Sequence, residues 1–351
     1  MDQVVELHRE AFGEKGPRQE LRDFLTEVLF RHPWLDEDLP SLAYVGKTGE
    51  LMGCLGVMPR PMLLNNRPIR AVVTHDFIVA PGQRGGLASI QLMRAMIGCG
   101  PELTLADGNE TSRRICEALG SKTIMSRSQR WLRVLKPTGL GVHVLERWMN
   151  GGRVARGVTR AMAGMAAAPD AILQRVPGLP SRVPSVEGGD AEPTPGELRD
   201  LLERLTSHLT LRPLYTEATL TWLMNTLKGT RSRQRLKTGV VRDSDEAIGW
   251  YVYYSRPGGV GRVLQLGAAP GAHARVLDHL FASGAREGNV GLSGQSDPAW
   301  NDAFEKASCI IRPGSSWFLM HTSNPEAERA LTGPDAFLSR LEGEAWLHFR
   351  H

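Results

Sequence analysis

Cysteine is scarce in this chain, and the few cysteines present do not form a motif. Cys54, Cys99, Cys116 and Cys309 are the four in 351 residues, with no Cys-x-x-Cys pair and no Cys/His cluster. This spacing excludes a zinc-finger site and a disulfide framework. We therefore expect no metal and a reducing, cytoplasmic compartment.

Long apolar runs and a strong charge of one sign are also missing. No stretch approaches the roughly 20 apolar residues of a membrane-spanning helix, and the charged N-terminal sequence MDQVVELHREAFG does not resemble a signal peptide. Lys and Arg number 42 against 38 Asp and Glu, a formal net charge of +4. Such a mildly basic chain favours anionic partners but lacks the dense charge of a nucleic-acid-binding tail.

The predicted elements follow the same order twice along the chain. Residues 1–136 are predicted to form two helices and three strands, followed by helix, strand, helix and strand, and residues 196–351 repeat this order. Between them, residues 137–195 combine helical apolar spacing with a Pro-, Gly- and Ser-rich stretch typical of a linker. The sequence thus predicts two domains of related architecture joined by a helical segment and linker, and the length supports that number.

A glycine-rich turn lies between the third predicted strand and the helix after it. The stretch VAPGQRGGLAS carries Gly82, Gly85 and Gly86 around Gln83 and Arg84. The first N–H groups of a helix are unpaired and partly positive, and glycines let the backbone approach a ligand closely. Such a turn favours a phosphate-binding site, with a tight turn that binds nothing as the alternative.

This turn resembles the acyl-CoA signature of the GNAT superfamily of N-acetyltransferases, Gln/Arg-x-x-Gly-x-Gly/Ala. Gln83, Gly86 and Ala88 match the signature, in a turn one residue shorter than the commonest form. The family's preceding strand ends in Val-x-Pro, as the sequence VAP does here. The resemblance implies that the backbone amides of this turn bind the pyrophosphate of CoA.

A second stretch, NETSRRICEALGS, resembles the family's next strand–helix unit, Asn-x-x-Ala-x-x-x-Tyr-x-x-x-Gly-Phe. Asn109, Ser112, Cys116 and Gly120 occupy the Asn, Ala, Tyr and Gly positions, and Ser121 stands in place of the Phe. The resemblance implies that Asn109 contacts the pantetheine arm or shapes its entry. The family's Tyr is often the general acid that protonates the leaving thiolate, and that position is Cys116 in this chain.

The resemblance implies an α/β fold of the α+β type with mixed sheets. It predicts two GNAT-like domains in tandem, each a mostly antiparallel central sheet flanked by helices, with the first strand missing or truncated. The acyl donor is then acetyl-CoA or another acyl-CoA, and an amine acceptor attacks the thioester directly. The residues that the resemblance assigns to the donor site are Ile78, Val79, Gln83, Arg84, Gly85, Gly86, Leu87, Ala88, Asn109 and Ser112.

The second half lacks a comparable turn. The corresponding point reads AAPGAHARVL, with Gly271 as its one glycine. Its one arginine, Arg275, falls inside the predicted helix rather than at the mouth of the turn. We therefore interpret residues 196–351 as a degenerate copy that does not bind CoA.

Three polar residues, Thr74, His75 and Asp76, interrupt the apolar strand before the glycine turn. Because side chains alternate along a strand, His75 and Asp76 are predicted to point to opposite faces, so only one can face the substrate. Either is a candidate general base for the acceptor amine, and a hydrogen-bonded structural role is the alternative. Cys116 is a candidate general acid, with a small buried apolar residue as the alternative.

Three further features have both a structural and a functional interpretation. The basic stretch from Arg113 to Arg160 is either a solvated face or a site for the CoA 3′-phosphate, an acyl-carrier protein, tRNA or an anionic membrane. The aromatic row GWYVYYS is either core or the wall of an acceptor groove. The sequence RLEGEAWLHF predicts a final strand, whose Glu342 and Glu344 are either solvated or meet a cationic acceptor.

The sequence therefore predicts an acyl-CoA-dependent N-acyltransferase that acts on a small-molecule amine, with a homodimer among the states open to it. One alternative is a Fem-like transferase that uses aminoacyl-tRNA, but the retained glycine turn and the sparse aromatic residues of the basic stretch argue against it. The other alternative is a GNAT-shaped binding protein without catalytic activity, which the missing Tyr at position 116 keeps open.

Overall fold

The computed structural model describes residues 1–13, 16–83, 86–137, 183–186, 191–229 and 234–347. Within these residues the α-helices are α1 (Asp2–Phe12), α2 (Arg18–Phe30), α3 (Leu87–Gly98), α4 (Glu110–Ala118), α5 (Met125–Ser128), α6 (Pro195–Thr206), α7 (Glu217–Gly229), α8 (His273–Arg286), α9 (Asn301–Lys306) and α10 (Pro325–Thr332). The strands are β1 (Leu42–Val45), β2 (Leu51–Pro59), β3 (Met62–Leu64), β4 (Arg67–Ile69), β5 (Ala71–Val79), β6 (Leu103–Gly108), β7 (Lys122–Thr123), β8 (Gln129–Val134), β9 (Leu211–Pro213), β10 (Arg235–Asp243), β11 (Glu246–Ser255), β12 (Val260–Ala268), β13 (Gly291–Gln295), β14 (Ile310–Pro313) and β15 (Trp317–His321). Most of the predicted helical segment and linker, residues 137–195, lies outside the described residues.

Local sequence explains where several helices begin and end. Thr194 and Glu197 form a capping box at the start of α6, and Pro195 occupies its first turn. Helix α1 ends at Gly13, whose φ of 64° is a left-handed conformation that glycine adopts easily. No helix in the described part of the chain is both long and apolar enough to cross a bilayer.

Two six-stranded sheets with the same pattern form the centre of the molecule. The first has the order β1-β2-β5-β6-β15-β7, and the second has the order β10-β11-β12-β13-β8-β14. In each sheet three strands in a row are antiparallel and the third is parallel to the fourth: β5 with β6, and β12 with β13. This repeated pattern confirms the predicted tandem arrangement of two mostly antiparallel sheets flanked by helices.

The two halves exchange a strand with each other. Strand β15, from the second half, lies beside β6 in the first sheet, with Phe318 opposite Asp107. Strand β8, from the first half, lies beside β13 in the second sheet, with Trp131 opposite Gly294. The domain boundary at residue 136 therefore stays a prediction. Each sheet contains one strand from the other side of that boundary.

The aromatic row of β11 is core on both of its faces. Trp250, Val252 and Tyr254 belong to a buried apolar cluster that contains residues of both halves. Tyr251 and Tyr253 belong to a second cluster on the opposite face, beneath α8. The predicted alternation along this strand is confirmed, and so is the interpretation as core.

The C-terminal prediction of a strand is wrong. The described part of RLEGEAWLHF contains a 3₁₀ turn, Glu344–Trp346, and no strand. Glu342 and Glu344 are also buried rather than solvated. The physical reason is that donors from distant residues meet each carboxylate: Tyr215 and Gln265 at Glu342, and the Asp107 N–H at Glu344.

Candidate active site between two diverging strands

The parallel strands β5 and β6 part halfway along their length. They pair from Ala71–Leu103 to Thr74–Ala106 only, although β5 continues to Val79 and β6 continues to Gly108. Helix α3 follows β5 and helix α4 follows β6. The gap therefore opens at the carboxyl ends of two parallel strands, beside two helix N-termini, which is where open α/β sheets bind ligands.

Strand β5 directs backbone N–H groups into this gap. On its other edge β5 pairs with β2, and the Ala80 N–H donates to the Met52 carbonyl at 2.9 Å. Because successive backbone groups of a strand point to opposite edges, the Val79 N–H points away from β2, toward the gap. This places the predicted Ile78–Val79 segment along the wall of the gap.

The glycine turn leads from β5 into α3. Pro81–Gln83 form a 3₁₀ turn, and Gly86 is the N-cap residue of α3 in an extended conformation. Both Leu87 and Ala88 belong to the first turn of α3; Leu87 is exposed and Ala88 is fully buried. Within the described residues, no side chain caps α3 and its first turn holds no acidic residue. Its N-terminal amides are thus left for an anion. Arg84, Gly85 and the side chain of Gln83 lie outside the described residues.

Asn109 is the N-cap residue of α4, on the opposite side of the gap. Its Oδ1 accepts the Ser112 N–H at 3.0 Å. The structure therefore brings Asn109 and Ser112 together at the end of β6, near the gap. Helix capping is the contact that the structure records for both residues.

The strand before the turn contains a β-bulge that overturns the predicted alternation. His75 lies opposite Gly56 and Ile78 lies opposite Cys54, so two residues of β5 face the single residue between them on β2. Asp76 has a φ of 45°, which is unusual for a residue other than glycine. The extra residue removes one step of the alternation. His75 and Asp76 consequently lie on the same face rather than on opposite faces.

Asp76 sits between two histidines beneath α1. Its Oδ2 lies 3.0 Å from His75 Nδ1, and its Oδ1 lies 3.4 Å from His8 Nε2. All three side chains are at most 4% exposed. This cluster ties α1 to β5, and its hydrogen bond between His75 and Asp76 favours a structural role for the two strand residues, while His8 Nδ1 and His75 Nε2 have no hydrogen-bond partner among the described residues.

Gly56→Ala is expected to destabilise the protein by about 1–3 kcal/mol, as overpacked core substitutions do. A Cβ at position 56 would lie 2.5–2.7 Å from three ring atoms of the buried His75. Urea unfolding measures the loss. Gly82→Ala is the control, because a Cβ at position 82 meets no atom within 4 Å. Equal stability of both variants would contradict the packing seen at the bulge.

The thiol at the family's Tyr position is buried in an apolar cluster with Leu92 and Leu319. Burial, followed by the carboxylates of Glu117 and Glu344, raises the pKa of Cys116 to about 12. An ordinary thiol has a pKa near 8.5, so proton transfer from Cys116 to a CoA thiolate would be uphill. This environment favours the packing interpretation over the acid.

Glu344 is a gap residue that the sequence did not assign to the catalytic or donor set. Its Oε2 accepts the Asp107 N–H at 3.1 Å. Asp107 is the first residue of β6 beyond the pairing with β5, so the carboxylate lies where the two strands part. It is also close enough to Cys116 to raise the pKa of that thiol. The signal available in the sequence was a pair of acids in an otherwise apolar C-terminal stretch.

A buried polar chain holds the C-terminal segment in place. Arg60 donates to the Tyr215 hydroxyl at 2.5 Å, and Tyr215 donates to Glu342 Oε1 at 2.5 Å. Gln265 Nε2 donates to the same oxygen at 3.0 Å, and Ser339 donates through its N–H and its hydroxyl to Oε2. Since these residues come from both halves, the chain joins them and positions the segment that carries Glu344.

Acidification is expected to destabilise the protein through His32. Burial, then the nearby His75 and Arg60, lower the pKa of His32 to about 4. The unfolded state therefore binds the proton more tightly, so stability is complete above pH 6.5 and falls as the pH drops from 6.5 toward 4. The loss by pH 4.5 is about 2.5 kcal/mol. Urea unfolding at pH 7.0 and 4.5 measures it, and His32→Asn should show a smaller difference. An equal difference in the variant would contradict this assignment.

Much of the described basic stretch is engaged within the chain. Arg127 is buried and bonds to Asp297 and four backbone carbonyls. Arg133 donates to the Ala307 carbonyl, and Arg113 pairs with Glu117. The interpretation as a wholly solvated face is wrong for the two buried arginines. The residues of the stretch beyond 137 lie outside the described residues. Among the described residues, no group of His, Cys, Asp and Glu side chains is arranged to hold a metal ion.

The paired sheets, each with a parallel pair that parts beside helix N-termini, define a tandem GNAT fold. A conserved protein of unknown function from Enterococcus faecalis V583, described as a probable N-acyltransferase, is 10% identical to the chain, covering 92% of this chain and 70% of its own, with a TM-score of 0.57. A GCN5-related N-acetyltransferase from Anabaena variabilis ATCC 29413 is 11% identical, covering 94% and 72%, with a TM-score of 0.53.

Saccharomyces cerevisiae N-myristoyltransferase, solved with bound myristoyl-CoA and inhibitors, shares the fold as well. It is 12% identical, covering 98% of this chain and 82% of its own, with a TM-score of 0.53. No family model and no curated protein matches the sequence. Two of these structural neighbours are N-acyltransferases and the third is described as a probable one, and similarity at this level of identity establishes the fold alone.

Proposed function

We propose that the protein is an acyl-CoA-dependent N-acyltransferase whose donor site is the gap between β5 and β6. The observation that carries the proposal is the parting of these strands beyond Thr74–Ala106, with the glycine turn and the uncapped start of α3 at its mouth. The pyrophosphate binds the α3 amides around Gly86, and the pantetheine arm enters between the strands past Asn109. The known ligand of the yeast neighbour, myristoyl-CoA, supports a CoA thioester as donor.

The reaction is a direct acyl transfer. The Val79 N–H, which points toward the gap, donates to the thioester oxygen as negative charge develops there. The amine nitrogen forms a bond to the carbonyl carbon, the carbon–sulfur bond breaks, and CoA leaves as a thiolate. Glu344 accepts the proton that the attacking amine loses, and solvent supplies a proton to the thiolate. Asp76 and His75 hold the bulged strand in place.

The acceptor in this proposal is a small-molecule amine. Arg113, Arg127 and Arg133 already have partners within the chain, so this part of the basic stretch offers little to a tRNA or an acyl-carrier protein. An acetyl or other acyl group, a homodimer and a cytoplasmic location are predicted from the sequence, and they stay predictions.

Calorimetric titration with acetyl-CoA is expected to give one site per chain. The turn before α8 in the second half is not glycine-rich, with Gly271 as its one glycine, and Arg275 in that helix is engaged by Asp243. Release of CoA in the presence of a panel of primary amines then tests transfer. A stoichiometry of two would overturn the assignment of the second half, and no binding by the folded protein would overturn the donor site.

A further inference from the structure

The second sheet contains a gap like that of the first. Strands β12 and β13 pair only from Val260–Gly291 to Arg262–Ser293, although they continue to Ala268 and Gln295. The turn that follows β12 is not glycine-rich, unlike the turn that follows β5 in the first sheet. This gap is therefore a second place of the kind that binds ligands in open sheets, with different chemistry at its mouth.

A cavity of about 240 Å³ occupies this second gap. Its walls come from the diverging ends of β12 and β13, the end of α6, the loop that leads into α9, and the segment 334–340. A dry engineered cavity of roughly 150 Å³ holds one benzene ring. The volume here thus suits a molecule of about two fused rings.

One wall of this cavity is backed by a tightly packed aromatic core, in which Trp131, Phe304 and Trp300 are at most 6% exposed. Trp131 stacks on Phe304 at a ring distance of 5.0 Å, and Trp300 stacks on Phe304 at 6.1 Å. The His273 ring meets Trp300 edge-on at 4.6 Å. Gly294 leaves room for this arrangement, since a Cβ there would lie 2.8 Å from the Trp131 ring. The wall is preformed and needs little reordering on binding.

The polar groups of the lining carry little uncompensated charge. Asp297 accepts from Arg127 at 2.7 Å, so that carboxylate is neutralised. The Gln265 side-chain amide uses both of its ends: Oε1 accepts from Trp250 Nε1 at 2.8 Å, and Nε2 donates to Glu342 at 3.0 Å. Burial lowers the pKa of His273, which keeps its imidazole neutral at pH 7. Arg340, which also lines the cavity, has an interaction partner within the chain, so the lining as a whole suits a neutral ligand.

We propose that this cavity binds a neutral, mostly apolar aromatic molecule of about two fused rings. The site is separate from the donor gap and does not rest on the proposed function. The accessible apolar side chains of Leu266, Ala268, Pro270 and Phe337 supply the contact area, and His273 supplies a hydrogen bond.

Indole is the probe for the test. Calorimetry is expected to show one saturable site per chain with a Kd below about 1 mM, and saturating indole should raise the melting temperature by about 2–4 °C. Ala268→Trp places an indole ring on the cavity lining and should weaken binding at least tenfold. Ala43→Trp is the matched control, on an exposed position of the edge strand β1, and should bind as the parent does.

Three outcomes would overturn the inference. They are no saturable binding by the folded parent up to about 5 mM, unchanged binding in folded Ala268→Trp, and competition by acetyl-CoA. If Ala268→Trp does not fold, Leu209→Trp is used in its place. Leu209 lines the cavity from outside the sheet, so an indole ring there fills the same space. Loss of acetyl-CoA binding with intact indole binding would contradict the donor site alone, so the two proposals fail separately.

Discussion

Gly86→Glu is expected to weaken acetyl-CoA binding by at least about 100-fold, or roughly 2.7 kcal/mol. Gly86 is the N-cap residue of α3, at the mouth of the gap between β5 and β6. A carboxylate there occupies the space into which the pyrophosphate must come and repels its charge at close range. Calorimetry measures the affinity, and circular dichroism shows whether the fold is retained.

The same substitution at the other end of the helix provides the control. Gly98 is the last residue of α3, and a Cβ there meets no atom within 4 Å. Gly98→Glu changes the net charge identically but lies about 18 Å from Gly86 along the helix. It should bind acetyl-CoA as the parent does. Parental affinity in a folded Gly86→Glu variant would remove the basis for the donor site.

Glu344→Gln is expected to lower kcat by roughly 10²–10⁴-fold with little change in CoA affinity, the usual contribution of a positioned proton acceptor. The Gln carbonyl still accepts the Asp107 N–H, so the gap keeps its shape. The loss should shrink as pH rises, because more of the amine is then already deprotonated. Steady-state kinetics across pH 6–9 measure both effects.

Two matched variants distinguish loss of the general base from loss of stability and from loss of a carboxylate elsewhere. Asp76→Asn disturbs a buried cluster with His75 and should lower the melting temperature more than it lowers turnover per folded molecule. Glu246→Gln removes an exposed carboxylate and should change neither quantity. A large loss of kcat in Asp76→Asn, with unchanged stability and an active Glu344→Gln, would assign the general base to Asp76 instead of Glu344.

Much of the fold was accessible from local patterns. Apolar alternation along β11 predicted that Trp250 and Tyr251 lie on opposite faces of the sheet, and the structure confirms this. The repeated element order predicted the tandem sheets, because each element's periodicity records which of its faces is buried. The glycine turn before α3 was predicted in the same way, since a strand, a turn and a helix N-terminus are contiguous in sequence.

The bulge at Asp76 shows where local patterns fail. Alternation predicts one face for each residue, but pairing with β2 inserts an extra residue opposite Leu55. Nothing in the apolar stretch around Asp76 records that partner strand. As a result, the sequence placed His75 and Asp76 on opposite faces, whereas the structure places them side by side.

The sequence alone determined most of the elements, their order, the anion-suited turn and most of the apolar faces, all of which depend on neighbours in the chain. Only the tertiary structure decided that β8 and β15 are exchanged between the sheets, and that Glu342 and Glu344 are buried. A carboxylate is stable inside a protein only where donors meet it. The donors for these two come from residues such as Tyr215 and Asp107, more than 100 positions away, and folding alone brings them there.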